Sequence, residues 1–165
     1  MLSNTNYTFR YSKKSDAPAI EKLIRLRFGV RKSAMMDIEN RYLLCFDGSN
    51  LIAMSGLNRS CAYNGLEVDW TCTHPCYERQ GIMSAIFAKM LADVKEDVYC
   101  SCWKSCGKTK VNLSSIMHRY NFVPIVEPRV SFDSRYNNCA STCAGYVGTG
   151  CKCCEDLYVR RFNQV

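Results

Sequence analysis

The chain has 165 residues, of which 47% are hydrophobic and 22% are charged, so it can form one domain with a sizeable core. Its N-terminus is polar, and no stretch reaches the roughly 18 apolar residues of a membrane-spanning helix. We therefore expect neither secretion nor membrane insertion, and a cytoplasmic location. The formal net charge of +7 favours anionic ligands, although a basic surface that only contacts solvent would give the same net charge.

The first part of the chain predicts a strand followed by a helix. Alternating side chains indicate a strand over Tyr7–Tyr11. Ser15 or Asp16 is the expected N-cap of the helix, and Pro18 fits its first turn. One apolar stripe then runs along the helix: Ile20, Leu23, Ile24 and Phe28. A second short helix is expected within residues 29–40.

Three further strands are predicted, joined by tight turns. Tyr42–Phe46 and Leu51–Leu57 are apolar runs connected by Asp47-Gly48-Ser49-Asn50, which is a strong hairpin signal. Asn64-Gly65 marks a second hairpin turn. In the strand that follows it, Leu66–Cys72, apolar and polar residues alternate, as in a half-buried strand.

A turn and an amphipathic helix follow this strand, and the turn is suited to bind an anion. Pro75 removes a backbone donor and ends regular pairing. From Gly81 onwards, apolar side chains recur at helical spacing. A helix that begins here leaves backbone N–H groups without partners, a glycine lets a ligand approach closely, and the helix dipole is positive at this end. A phosphate is the anion that we expect there.

The remainder of the chain predicts a strand, a helix and two last strands. Val98–Cys102 reads as a strand, and Lys108–Tyr120 as a helix. Asn121 follows this helix, and asparagine tolerates the left-handed conformation that often ends one. Arg129–Phe132 and Leu157–Phe162 are the two last strands.

The segment from Pro75 to Ser84 resembles the pyrophosphate loop of the GNAT acetyltransferase superfamily, whose usual pattern is Gln/Arg-x-x-Gly-x-Gly/Ala. Gly81 keeps the middle glycine, whereas Glu78 stands in the first position and Met83 in the last. The order of the predicted elements, β-α-(α)-β-β-β-α-β-α-β-β, is also that of a GNAT domain. The resemblance covers most of the chain, roughly Tyr7 to Phe162.

This resemblance implies a single GNAT acyltransferase domain over residues 1–165. Its fold class would be α/β (α+β), with a central, mixed, mostly antiparallel six- to seven-stranded sheet and helices on both faces. The implied activity is acyl-CoA-dependent N-acyl transfer, first of all from acetyl-CoA as co-substrate. An amine of a small molecule or protein would attack directly in a ternary complex.

The resemblance also implies a co-substrate site. The strand Leu66–Cys72 would splay away from Val98–Cys102, and the pantetheine arm would pair with its freed backbone around Cys72, Thr73 and His74. Backbone amides of the next turn would hold the pyrophosphate: Arg79, Gln80, Gly81, Ile82, Met83 and Ser84. A carboxylate at Glu78 beside phosphate is unfavourable unless it points away, and we expect Arg79 to compensate it.

Acyl transfer to an amine needs a base, and the thiolate that leaves needs a proton. Glu67 and Asp69 are predicted to share one face of their strand with Thr71 and Thr73. Glu67 lies eleven positions before Glu78, the spacing of the general-base glutamate in the histone acetyltransferase branch, so it is the first candidate and Asp69 the second. The alternative, that both carboxylates only solvate the strand, carries equal weight.

Tyr120 is the candidate for the general acid. Many family members carry a tyrosine in the position that Met117 occupies here, and Tyr120 lies one helical turn further along. A core aromatic is the alternative role for this tyrosine.

Twelve cysteines are many for a cytoplasmic chain, and the resemblance does not explain their clustering. The insertion of residues 134–154 is rich in Cys and Gly. In a GNAT sheet the last strand would bring Cys151–Cys154 beside Cys102 and Cys106, close to Cys139 and Cys143. The candidate zinc ligands are Cys139, Cys143, Cys151, Cys153 and Cys154. Disulfides or plain thiols are the alternatives, since these spacings match no standard zinc ribbon.

Two other functions stay open. Arg25–Val30 faintly resembles the acyl-homoserine lactone synthase-like branch, which uses longer acyl chains. A non-catalytic module could instead bind CoA, or use a basic, Cys-rich rim to dock nucleic acid or protein. The rim would draw on Lys104, Lys108, Lys110, Arg160 and Arg161. Nucleic acid is disfavoured because its usual motifs are absent from the sequence. No membrane partner is expected, and a homodimer is left open.

Overall fold

The computed structural model describes residues 6–28, 38–60, 63–104, 114–125 and 154–164. The strands are β1 (Thr8–Tyr11), β2 (Tyr42–Asp47), β3 (Asn50–Arg59), β4 (Leu66–Thr73), β5 (Val98–Lys104), β6 (Val123–Pro124) and β7 (Cys154–Arg160). The helices are α1 (Ala17–Phe28), α2 (Ile82–Leu91) and α3 (Ser114–Arg119). These elements follow the order that the sequence predicted.

The strands form one seven-stranded sheet in the order β1-β2-β3-β4-β5-β7-β6. β4 and β5 run parallel, and the other neighbouring strands are antiparallel. The mixed, mostly antiparallel α/β architecture predicted from the sequence is therefore confirmed.

A helix covers each face of the sheet. On the α2 face, apolar side chains of α2 and α3 join the strands in the larger core cluster, with Ile86, Phe87 and Met117 completely or almost completely buried. On the α1 face, Ile20 and Ile24 pack on the side chains of the strands in a second cluster. Among the described residues, no helix has the length and apolar character needed to cross a membrane.

The predicted turn between β2 and β3 is confirmed. Asp47 pairs with Asn50, and Gly48 takes a positive φ of 57° in the two-residue turn between them. β3 ends at Arg59, close to the end that the sequence predicts near Asn58 and Arg59, and both residues pair with β4.

The start of the first helical segment differs from the prediction. A 3-10 turn over Lys14–Asp16 precedes α1, and Lys13 occupies the cap position. Asp16 accepts a hydrogen bond from the Lys13 backbone N–H (2.7 Å), and two from the Arg10 guanidinium (2.6 and 2.8 Å). Asp16 therefore reaches back from the third helical position, as the acid of a capping box does, instead of preceding the helix.

The end of α3 confirms the role expected of Asn121, which has a φ of 60°. The Asn121 N–H donates to the His118 carbonyl, and the Phe122 N–H donates to the Met117 carbonyl (2.9 Å). These two bonds define a Schellman motif, and Phe122 and Met117 are both buried in the same core cluster, as expected of its apolar pair.

Some expectations fall outside the described residues. They are most of the second short helix, the first part of the helix predicted from Lys108, the strand Arg129–Phe132 and nearly all of the insertion. β6 lies earlier than that strand, where Val123 pairs with Val159.

Candidate functional site

β4 and β5 separate shortly after they begin to pair. Leu66 pairs with Val98 and Glu67 pairs with Tyr99, and the described residues form no further β4–β5 pair. β5 continues straight and pairs with β7 as far as Lys104. The splay that the resemblance implied is therefore present, and the β5-side edge of β4 beyond Glu67 borders a gap.

A β-bulge interrupts β4 next to this gap. Met54 pairs with Cys72 and Gly56 pairs with Asp69, so that Ser55 alone stands opposite both Trp70 and Thr71. Trp70 has a φ of 38°, which is rare for a bulky residue and marks the bulge.

The bulge reverses the side-chain alternation of β4. Leu66 and Val68 pack on the α2 face, whereas Trp70 and Cys72 pack on the α1 face. Glu67 and Asp69 consequently lie on the α1 face. Past the bulge, Thr71 and Thr73 lie on the α2 face, so the prediction that these four residues share one face is wrong.

Glu67 lies where the two strands part. Its Oε2 accepts a hydrogen bond from the Ser60 hydroxyl (2.9 Å). Its Oε1 accepts a longer one (3.4 Å) from Ser101 of β5, which reaches across the start of the gap. Both contacts leave the carboxylate half-exposed at the vertex of the splay.

Asp69 is held much more firmly than Glu67. Its Oδ2 accepts hydrogen bonds from Arg41 Nη2 (2.9 Å), Tyr42 Oη (3.0 Å) and Asn58 Nδ2 (2.8 Å). Burial, with the nearby Asp69 charge, raises the pKa of Tyr42, so its hydroxyl stays protonated and donates. Because three donors already occupy Oδ2 of Asp69, this carboxylate is a poorer candidate than Glu67 for contact with a substrate amine.

Gly56 makes this arrangement possible. It pairs with Tyr42 on one side and with Asp69 on the other, so the Tyr42 ring crosses β3 above it. A methyl group at Gly56 would lie 2.7 Å from Tyr42 Cδ1 and 2.9 Å from the Arg41 carbonyl oxygen. A side chain here would therefore displace the ring or the backbone.

Tyr120 lies on the opposite face of the sheet from both carboxylates. Its ring contacts Phe87 in the core of the α2 face, with 5.8 Å between the centroids. Its hydroxyl donates a hydrogen bond to the Ser84 carbonyl in the first turn of α2. The structure therefore does not bring Tyr120 together with Glu67 and Asp69.

The turn before α2 has the backbone of an anion-binding loop. Arg79 and Gly81 have φ values of 62° and 78°, and Gly81 precedes the first residue of α2. No side chain caps this end of α2 in the part of the chain that the structure describes. The first N–H groups of the helix, from Ile82 to Ser84, have no intrahelical partner by geometry and are available to a ligand.

Side chains fix this loop to the sheet. The Tyr7 hydroxyl donates to Gln80 Oε1 (2.6 Å), and Gln80 Nε2 donates to the Cys76 carbonyl (3.3 Å). The Tyr77 hydroxyl donates to Asp47 in the β2–β3 turn (2.8 Å). The His74 imidazole accepts a hydrogen bond from the Cys76 N–H (3.3 Å), so it acts in the turn itself.

Glu78 is paired with a residue that the sequence did not suggest. Its carboxylate forms an ion pair with Arg27 of α1, at 2.7 Å, and not with Arg79. The charge that stands in the first position of the loop motif is thus compensated by a helix on the α1 face.

The predicted pantetheine segment, Cys72 to His74, is paired with β3 on one side and borders the gap on the other. The His74 N–H donates to the Ile52 carbonyl (2.7 Å), which continues the β3 pairing past the end of β4. The Cys72 thiol is buried on the α1 face, and burial raises its pKa to about 12. The Cys72 thiol therefore stays protonated and enclosed, and only the backbone of Cys72 borders the gap.

The predicted cysteine cluster lies mostly outside the described residues, which include neither Cys139, Cys143, Cys151 nor Cys153. Cys154 pairs with Lys104, two positions beyond the Cys102–Asp156 pair, so the last strand does begin beside the end of β5. Within the described residues, no group of three or more ligating side chains could hold a metal.

No protein-family model and no curated protein matches the sequence. Solved structures do resemble it, among them an N-acetylglutamate synthase from Neisseria gonorrhoeae complexed with coenzyme A and N-acetyl-glutamate (TM-score 0.63, 14% identity). Others are a GNAT-family acetyltransferase from Bacillus cereus (0.64, 10%) and the ribosomal-protein-S18-alanine N-acetyltransferase from Escherichia coli (0.62, 11%). The chain has the GNAT fold.

The similarity covers 97% of this chain in the first comparison, 94% in the second and 94% in the third. The chain spans 36% of the N-acetylglutamate synthase, but 96% and 94% of the other two proteins. With identities this low, the similarity concerns the fold, and the site has to be argued from this chain's own residues.

Three features of the site had no signal in the sequence: the Ser60 and Ser101 contacts to Glu67, the Arg27–Glu78 ion pair, and a hydrogen bond from Arg119 to Ser84. Apart from the Ser60–Glu67 contact, each joins residues far apart in the chain, and all the side chains are of types common on protein surfaces.

Proposed function

We propose that this protein is an acyl-CoA-dependent N-acyltransferase that transfers acetyl from acetyl-CoA to an amine of a small molecule or protein. One observation carries the proposal: the gap between β4 and β5 opens beside the uncapped N-terminus of α2. An extended chain that ends in phosphates fits this combination, because the free strand edge can pair with amides and the helix start can bind the phosphates.

The residues present fit acetyl-CoA. The backbone from Cys72 to His74 would pair with the pantetheine arm, and the amides from Arg79 to Ser84 would hold the pyrophosphate. Glu78 does not oppose this, since its carboxylate is paired with Arg27. A methyl group added at Gly81 would meet nothing within 4 Å, so the loop is open on that side.

Glu67 is the residue that we assign as general base. The acceptor amine loses a proton towards Glu67, directly or through water, and its nitrogen attacks the thioester carbonyl carbon. The C–N bond forms, the C–S bond breaks, and the CoA thiolate takes up a proton. Tyr120 can supply that proton only if its hydroxyl leaves the Ser84 carbonyl.

The direct test is turnover of acetyl-CoA with a panel of amines, followed by the appearance of free CoA thiol and by mass spectrometry of the acceptor. Gly81→Ala should raise KM for acetyl-CoA about tenfold, because a methyl group intrudes where the ligand's phosphates approach. Gly48→Ala is the matched control: it also has a positive φ and open space, but lies in the β2–β3 turn. Equal kinetics for the two variants would contradict the assigned loop.

A CoA thioester with a longer acyl group is the second candidate for the donor, and one observation favours it. Phe28 is 44% exposed at the end of α1 and contacts Trp70 at the bulge, with 5.5 Å between ring centroids. An apolar acyl chain could extend along this aromatic pair. Competition between acetyl-CoA and octanoyl-CoA decides: a kcat/KM that rises with chain length favours the longer substrate.

The non-catalytic alternative has less support. Arg161, one of the basic residues expected in a docking rim, is paired with Asp97 (2.7 Å), which reduces its attraction for a polyanion. Nucleic-acid binding that weakens with salt, without any acyl transfer, would favour this alternative.

Zinc held by the cysteines of the insertion, and a cytoplasmic location, stay parts of the proposal. Metal analysis of protein purified without chelator should give about one zinc per chain if four thiolates form a structural site. A metal-free protein with titratable thiols would exclude that site.

A further inference from the structure

We infer that Arg119, on α3, binds a phosphate group at the nucleotide end of the acyl-CoA. This inference rests on the proposed function and adds a residue to it. The loop motif keeps one of its usual positions and carries a carboxylate in another, so a second cation besides Arg79 would strengthen its hold on phosphate.

The position of Arg119 carries the inference. Its Nη1 donates a hydrogen bond to the Ser84 hydroxyl (3.0 Å), in the first turn of α2. This turn holds the unpaired N–H groups that would face the pyrophosphate. The guanidinium is exposed and has five N–H donors, of which one goes to Ser84. A planar guanidinium with free donors is well matched to phosphate oxygens.

The end of α3 is fixed against the first turn of α2. The next residue, Tyr120, donates to the Ser84 carbonyl, so α3 binds both the side chain and the backbone of the same residue of α2. Asn121 and Phe122 then close the Schellman motif on Met117, which is fully buried. The backbone of Arg119 is therefore fixed beside Ser84, which reduces the conformational freedom lost when a phosphate binds.

The charges around the loop point the same way. Glu78 would repel a phosphate, and its ion pair with Arg27 neutralises that charge but also occupies Arg27. Arg119 is instead bound to a neutral hydroxyl, which leaves its full positive charge for an anion. Of the described arginines that contact the loop or the first turn of α2 by side chain, Arg119 is thus the better phosphate ligand.

The experiment measures Arg119→Ala and Arg119→Lys with three acetyl donors: acetyl-CoA, acetyl-3′-dephospho-CoA and S-acetylpantetheine. For Arg119→Ala we expect a KM for acetyl-CoA about tenfold higher with kcat unchanged, since a phosphate contact is remote from the thioester. Arg119→Lys should recover part of this loss. With S-acetylpantetheine, which has no phosphate, variant and wild type should be equal.

The two CoA donors identify the phosphate. An equal loss with both assigns Arg119 to the pyrophosphate, and a loss that disappears with the dephospho donor assigns it to the 3′-phosphate. Unchanged KM for acetyl-CoA overturns the inference, as does an equal loss with S-acetylpantetheine, which would mean a structural role. Arg25→Ala, on the exposed Arg25–Glu21 pair of α1, is the control and should behave as wild type. If wild type itself neither binds nor uses acetyl-CoA, the proposed function fails first.

Discussion

The two edges of β4 differ in kind. Towards β3 the strand pairs at six positions along its whole length, whereas towards β5 it pairs at two and then stops. The carboxylates of the strand follow the same division. Asp69 is bound by three donors from β2, β3 and the residue before β2, while Glu67 lies where the open edge begins.

We propose that this difference separates the residues of β4 that stabilise the fold from those that carry the chemistry. The closed edge holds Asp69 as part of the packing, and the bulge at Trp70 turns the strand so that its far end borders the gap. A strand edge without a partner is normally a liability, which proteins cover or pair. We therefore propose that the edge left open inside the sheet, beside a helix start, pairs with the backbone-like amides of a ligand.

The largest expected effects follow when each of the two carboxylates, Glu67 and Asp69, is replaced by the corresponding neutral amide. Glu67→Gln should lower kcat about thousandfold, within the range of lost general-base catalysis. Asp69→Asn should lower kcat less than tenfold but destabilise the fold by about 2 kcal/mol, since it breaks a hydrogen-bonded ion pair. Steady-state kinetics and thermal unfolding of both variants check this, and the reverse pattern would exchange the two roles.

The next largest expected effect is a loss of stability at the edge of β4 that pairs with β3. Gly56→Ala forces the Tyr42 ring or the Arg41 backbone to move and should destabilise the protein by about 3 kcal/mol. For a chain of this size, that lowers Tm by roughly 6–12 °C. Gly48→Ala should destabilise the protein by only about 1 kcal/mol, because its methyl group meets no neighbour. Equal Tm values for the two variants would show that the packing of the Tyr42 ring over Gly56 does not contribute to stability.

At the loop beside the open edge of β4, we expect acetyl-CoA to change the rate of thiol modification severalfold. Among the cysteines whose side chains the structure describes, Cys76 is exposed, while Cys45, Cys72, Cys100 and Cys102 are buried. Burial also raises the pKa of Cys45 to about 11 and that of Cys72 to about 12. Iodoacetamide at mildly alkaline pH should therefore modify Cys76 before these four, and acetyl-CoA should slow that modification, as peptide mapping can measure. Labelling that ignores acetyl-CoA would argue against ligand at the loop.

The smallest expected effect concerns the pH dependence of stability that arises from the ion pair between Arg10 of β1 and Asp16. Hydrogen bonds from Arg10 lower the pKa of Asp16 below its ordinary value of 3.8. The stabilisation is then complete above the unfolded-state pKa and is lost as pH falls through the lower folded-state pKa. The Tm difference between wild type and Asp16→Asn should be constant near neutral pH and shrink below about pH 4. A difference that persists in strong acid would assign the loss to packing.

Local signals predicted much of the fold and less of the site. The Asp47–Asn50 turn and the left-handed Asn121 follow from the conformational preferences of the residues themselves. The bulge does not, because tryptophan gives no hint of a positive φ; the predicted common face of Glu67 and Thr71 failed for that reason. The partners of Glu78 and Ser84 come from α1 and α3, and only the folded chain brings them together.

The measurement that tests the central claim most directly is a calorimetric titration of acetyl-CoA into the wild-type protein, with S-acetylpantetheine titrated in parallel. If the gap beside β4 and the start of α2 form one site, acetyl-CoA should bind once per chain in the micromolar range, and far more tightly than the donor without phosphates. No heat from acetyl-CoA, or equal affinity for both donors, would contradict the account.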